Sequence, residues 1–190
     1  MYSMNHATKD DIKKIMNIFK ANREWFPHVR EYHIKTRIDR NQVILENGVV
    51  IAYHYYTRKQ PLSKKDKDGK DIGNKILAEK GDCILHQIVT SEKGKASDVL
   101  QKFFKIVKSK KVYLSVRSNN FKAIEFYLRN SMKLVGHTTW SEGKMPGDIY
   151  LYENHLFVKP PEKIKVKKVK VKVKKVKVKK VTTLEEHYEL

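Results

Sequence analysis

The chain has 190 residues, 40% of them apolar, with a single cysteine and 41 lysines and arginines against 21 acidic residues, a formal net charge of +20. That suffices for one domain with a real core plus a tail, while the lone Cys83 excludes an intrachain disulfide framework and fits a reducing, cytoplasmic setting. No long apolar run marks a leader or a transmembrane helix, and the charge disfavours polyamines and cationic peptides while favouring nucleic acid, anionic membrane or acidic ligands.

The first predicted element is a helix. Thr8 stands as its cap, with Asp11 three residues on in the capping-box position. The stripe Ile12, Ile15, Met16, Phe19 and Ala21 carries it to about Trp25, and Pro27 ends it. A second helix, over 28–40, brings Val29, Tyr32, Ile34 and Ile38 among many charges. Residues 42–46 and 49–58 read as strands on either side of Asn47-Gly48, a two-residue hairpin signal. The second strand is loaded with Tyr53, His54, Tyr55 and Tyr56. That load reads either as cross-strand packing or as a stacking, polar-tipped wall beside a substrate. Residues 59–80 are polar and charged and predict a long loop. The DKDGKD within it lacks the terminal glutamate of a calcium loop, so no metal is expected.

From Asp82 the chain alternates strand and helix twice, the pattern of a sheet with crossover helices. The apolar run Cys83, Ile84, Leu85, Ile88, Val89 is followed by a glycine-containing turn. Then come Val99, Leu100, Phe103, Phe104, Ile106 and Val107 at helical spacing. A strand over 112–116, a turn over 117–119 and a helix over 120–130 repeat the plan. Strands over 133–140 and 149–158, with a turn at 142–148, close a domain of residues 1–158. Residues 159–190 form a tail in which KVKKVKV at 165–171 recurs at 172–178. Its lysine density predicts disorder in isolation, and the run 163–180 is a candidate contact for DNA, RNA or anionic lipid by charge alone.

Two of these stretches carry a family resemblance. Residues 120–127, NFKAIEFY, resemble the N-x-x-A-x-x-F-Y signature of the GNAT N-acyltransferases. Residues 91–96, SEKGKA, sit where that family has its acyl-CoA pyrophosphate loop, Q/R-x-x-G-x-G/A. The order β-α-α-β-β-β-α-β-α-β-β over 1–158 is similar to the family's order. The resemblance implies an α/β (α+β) fold with a mixed central sheet of about six to seven strands flanked by about four helices. It implies acetyl-CoA or another acyl-CoA as cofactor and transfer to an amine by direct attack.

In a protein similar to that family, Gly94 and Ala96 let backbone N–H groups approach a pyrophosphate at a helix N-terminus, with Lys93, Lys95 and Ser97 beside them. Ile88, Val89 and Thr90 would pair their backbone with the pantetheine arm. Asn120 would lie by the cofactor, and the Tyr127 hydroxyl would face the thioester sulfur as general acid. No carboxylate stands out as a base. His86, with an ordinary histidine pKa, or an ordered water, is the expected proton acceptor. The departures from the pattern are Ser91 for Gln or Arg, and Ser131-Met132 where Gly-Phe is usual.

The acceptor is left open. The charge suggests a nucleic acid or a nucleic-acid-associated protein, and homo-oligomers are common in the family although no stretch here specifies one. A second class also stays open, a nucleic-acid-binding module on the same scaffold without catalysis. So does a third, an interaction protein tethered by its tail.

Overall fold

The computed structural model of the chain describes residues 3–63, 70, 75–141 and 143–157. Elements in chain order are α1 (Ile12–Ala21), α2 (Glu31–Ile38), β1 (Val43–Glu46), β2 (Val49–Tyr55), β3 (Gln60–Pro61), β4 (Leu77–Ala78), β5 (Cys83–Thr90), α3 (Ala96–Ile106), β6 (Lys111–Arg117), α4 (Phe121–Arg129), β7 (Lys133–Trp140) and β8 (Met145–Glu153). Six strands form one mixed sheet in the order β1-β2-β5-β6-β8-β7. Its one parallel pair is β5–β6, and a parallel pair needs a crossover, which α3 supplies.

The expected hairpin forms at Asn47-Gly48. Both residues take positive φ (49° and 70°), as a two-residue turn matched to strand twist requires. Apolar faces then sort the helices onto the two sides of the sheet. On one side Val99, Leu100, Phe103 and Phe104 of α3 and Tyr127 of α4 pack with Ile51, Leu85 and Leu114. On the other, Ile12, Ile15, Ile18 and Phe19 of α1 and Ile34 and Ile38 of α2 pack with Val43, Val50 and Val89. Alternate residues of β5 thus feed opposite cores, the period-two rule of a strand buried on both faces.

Several expected boundaries move. Among the described residues an isolated bridge, His6 to Ile44, stands where an opening strand was expected. Asp11 does reach back to the Thr8 backbone N–H at 2.8 Å, which caps the first helix. That helix stops at Ala21 because the Asn22 side chain donates to the Ile18 carbonyl at 2.8 Å and turns the chain. The second helix is shorter than 28–40. Arg30 enters in extended conformation, and Asn41, at φ 53°, follows it in the left-handed region. The loop over 59–80 contains the small ribbon β3–β4.

Pro146 and Gly147, read as turn residues, lie inside β8. The turn is pulled back to before Met145, and Ser141 and Gly143 take positive φ there. At its other end β8 stops at Glu153 rather than 158. There buried Asn154 donates to the Phe104 carbonyl at 2.9 Å, and its own N–H bonds the Lys110 carbonyl at 2.7 Å. The lysine–valine tail over 159–190 and all of DKDGKD but Lys70 lie outside the described residues. No helix among the described residues is long and apolar enough to cross a membrane.

Candidate active site

The site starts from a fault in the sheet. β5 pairs with β2 from Tyr55↔Cys83 to Val49↔Thr90, and β6 pairs with β8 from Lys111↔Glu153 to Arg117↔Gly147. Between β5 and β6, however, pairing consists of Cys83↔Val112 and Ile84↔Tyr113 alone. Past that point the two strands diverge, and their facing backbone edges border a cleft of about 1900 Å³. Residues 86–90 of β5, 115–117 of β6, Asn120, Ala123 and Tyr127 of the α4 segment, and Arg37 of α2 all line it. A buried edge of N–H and C=O groups calls for a partner. An extended chain of amides is the partner such an edge accepts.

Beside the gap, β5 carries a bulge. Ala52 pairs with Gln87 and the next residue, Tyr53, pairs with Leu85, so His86 is the extra residue. Bulges re-aim side chains, and this one turns His86 onto His54 of β2. Their Nδ1 (His54) and Nε2 (His86) lie 2.5 Å apart, with the rings stacked at a centroid distance of 4.7 Å. Burial first, then the charge of Arg37 and the proximity of His54, pull the His86 pKa down to about 3. Burial and Arg37 lower His54 in the same direction. The expectation of a base near neutrality rested on an ordinary histidine pKa, and desolvation removes that premise. His86 sits in the cleft wall as a neutral hydrogen-bonding group. Next to it, the Gln87 side-chain oxygen is buried with no hydrogen-bond partner among the described residues.

At the far end of β5 the chain turns into α3. Gly94 takes φ +78°, and nothing lies within 4 Å of where a Cβ would stand, so backbone approach to this loop is open. The Ser91 N–H donates to the Gly48 carbonyl at 3.2 Å, docking the loop on the β1–β2 turn. The Thr90 hydroxyl accepts from the Glu92 N–H at 2.8 Å and so is already used. Ser91, Glu92, Lys93, Gly94 and Ala96 line the cleft.

Lys95 and Ser97, expected beside a pyrophosphate, do not line the cleft. Lys95 occupies the N-cap position of α3. The Ser97 hydroxyl is 3.1 Å from Oδ1 of buried Asn130, which also accepts from Gln101 at 3.2 Å. Ser97 therefore joins α3 to the end of α4.

Asn120 caps α4, its Oδ1 accepting from the Ala123 N–H at 3.2 Å. One turn further, Tyr127 is 9% exposed, with ring contacts to Phe126 and Tyr150. Its hydroxyl has no hydrogen-bond partner among the described residues, and burial holds its pKa above the ordinary tyrosine value. The group keeps its proton until something in the cleft takes it. Val89 presents only backbone here, its side chain being committed to the core under α1 and α2. Ile88 packs on the α3/α4 side.

Sequence reading missed Arg37 and Trp140. Arg37 is hidden among the charges of a short helix, whereas Gln87 stands beside His86 on the strand where the base was sought. Trp140 lines the cleft and lies over Gly147, where a Cβ would run into its ring.

No family model matches the sequence, and no curated protein does either. Solved structures do match. An acetyltransferase of the GNAT family from Bacillus cereus shares 17% identity over 81% of this chain and 98% of that chain, with a TM-score of 0.55. A GNAT-family acetyltransferase from Streptococcus agalactiae shares 13% over 80% and 94%, with a TM-score of 0.61. Arabidopsis thaliana Naa50, solved with the bisubstrate analogue CoA-Ac-MVNAL, shares 13% over 80% and 97%, with a TM-score of 0.53. The chain has the GNAT acetyltransferase fold.

Proposed function

We propose that this protein is an acyl-CoA-dependent N-acyltransferase, with acetyl-CoA as the donor. The observation that carries the reading is the loss of β5–β6 pairing after Ile84↔Tyr113, with Gly94 at the outer end of the gap and Tyr127 on its wall. The residues fit an acyl-CoA. The unpaired edge of residues 86–90 suits the amides of a pantetheine arm, and the open Gly94 loop before α3 suits a pyrophosphate. Lys93 adds a cation there. When bound, the thioester supplies an activated acyl group.

The protein's own part is positioning and proton control. The cleft aligns an amine against the thioester, which converts an encounter into an oriented step. Tyr127 holds its proton at Oη, where a departing sulfur can take it. His54 and His86 stay neutral, so the amine gives its protons to water in the open cleft, and Tyr127 regains from solvent the proton it hands to the thiolate. The surplus of cations, +20 over the chain, supports a nucleic acid or a protein bound to one as the acceptor.

The test is release of free thiol from acetyl-CoA by the full chain over a panel of amines, nucleic acids included, with acetylated product identified by mass spectrometry. Acceptor-dependent thiol release that falls sharply in Tyr127→Phe supports the proposal. Release unchanged by that substitution removes Tyr127 from the chemistry.

A further inference from the structure

The charged groups around the cleft are lopsided. Arg37, Arg40, Arg58, Lys93, Arg117, Lys122 and Arg129 line it, and Glu92 is the one carboxylate among the described lining residues. Cations by the Gly94 loop have an evident use in a cofactor's phosphates. Arg37 does not share that use. It belongs to α2, whose Ile34 and Ile38 pack with Val50 and Val89 on the sheet face opposite Tyr127 and α3.

Arg37 is half-buried, and none of its five N–H donors bonds to a described residue. Glu92, the one carboxylate in the described lining, forms no ion pair with it, and the acidic residues of the neighbouring elements pair with lysines. Glu31 pairs with Lys35 at 2.8 Å and Asp39 with Lys9 at 3.3 Å, both on or beside the same helix. Glu46 at the end of β1 pairs with Lys102 at 2.6 Å. Its charged neighbour is Arg40, whose like charge disfavours it, and the histidines beyond it, His54 and His86, are neutral. A half-buried guanidinium without a counter-charge is unfavourable, and its planar fork matches carboxylate and phosphate. An ordinary structural arginine would have its partner in place.

We infer that Arg37 receives an anionic group, a carboxylate or a phosphate, carried by the acceptor, so that the substrates are amines bearing negative charge. This rests on the cleft being an acyl-transfer site, with the acceptor on the α1/α2 side and the cofactor on the α3/α4 side. It deepens the proposal by excluding polyamines and by fixing where the acceptor's charge sits relative to the splayed strands.

The experiment uses the full chain, first titrated with CoA by thermal unfolding and then, with and without saturating CoA, titrated with sodium acetate and with sodium phosphate. Sodium chloride of equal ionic strength is the control. Wild type, Arg37→Ala and Arg37→Lys are compared. Stabilisation of wild type by acetate or phosphate beyond chloride is the expected result, with a dissociation constant raised at least about tenfold in Arg37→Ala and less in Arg37→Lys. The more effective anion distinguishes a carboxylate-bearing from a phosphate-bearing acceptor. Without anion, Arg37→Ala unfolds no earlier than wild type, because it removes an unpaired charge. Equal anion binding by wild type and Arg37→Ala, or none beyond chloride, overturns the inference. A missing CoA response overturns the acyltransferase reading separately, and the anion titration without CoA still decides the role of Arg37.

Discussion

His54 Nδ1 and His86 Nε2 face each other at 2.5 Å across the β2–β5 pair, with one ring laid nearly parallel to the other. One nitrogen must donate and the other accept, so the pair holds together only while at least one ring is neutral. The β-bulge creates the contact, and burial sets its charge state.

That charge state makes stability depend on pH. In the unfolded chain His86 titrates near its ordinary value of 6.5, while in the fold its pKa is about 3. Between those values the unfolded state binds more protons, so stability rises with pH and is lost as pH falls. His54 is shifted in the same direction. Denaturant unfolding from pH 7 down to pH 4 should show wild type losing up to roughly 1 kcal/mol per pH unit more than His86→Gln. Parallel profiles for the two proteins would contradict the assignment.

Tyr127→Phe separates catalysis from stability. The hydroxyl has no partner within the described residues, so its loss should leave the unfolding free energy within about 1 kcal/mol. Turnover should fall by about 10²–10⁴, the usual worth of a positioned proton donor. The check is kcat beside a denaturant curve on the same preparation.

Gly94→Ala tests the loop. The position is spacious but held at φ +78°, so the substitution should cost about 1 kcal/mol of backbone strain. It should also weaken acetyl-CoA binding by bringing a methyl group to the surface that a pyrophosphate would approach. Calorimetric titration with acetyl-CoA reads the second effect, and a circular-dichroism melt reads the first.

Asn130→Ala tests the joint between α3 and α4. Asn130 is 3% exposed, bonds Ser97 and Gln101, and donates to the Phe126 carbonyl at 2.8 Å. Its loss leaves those groups unsatisfied and should cost about 2–3 kcal/mol by denaturant unfolding. Ser97→Ala should cost less, because Gln101 and Phe126 still hold the asparagine.

Much of the fold was legible because hydrophobic period changes cleanly along the chain. Val99, Leu100, Phe103 and Phe104 mark α3 without ambiguity, and Asn47-Gly48 marks its hairpin. Boundaries were legible where a known capping pattern acts on its own neighbours, as with Thr8 and Asp11. They shifted where a distant partner decides, as when Asn154 reaches Phe104 and ends β8, and also where a local bond carries no strong sequence signal, as when Asn22 turns back onto Ile18. Gly94 and Tyr127 could be read as site candidates through the resemblance of SEKGKA and NFKAIEFY to the family's motifs. The protonation of His86 could not, since it follows from burial and from Arg37, 49 positions away in the sequence. Arg37 itself looked like one more surface charge until Glu31 and Asp39 were seen to be taken by other lysines.

The central claim is that the gap between β5 and β6 holds an acyl-CoA. The most direct measurement is thermal unfolding of the full chain with acetyl-CoA, with CoA, and with ATP as a control for charge. At a hundred times its dissociation constant a ligand specific for the folded state adds about 2.7 kcal/mol. The account predicts stabilisation of that order by acetyl-CoA and CoA and little from ATP. An equal shift from ATP would show that the cleft attracts polyanions without selecting the cofactor, and no shift from any of the three would show that it holds none of them.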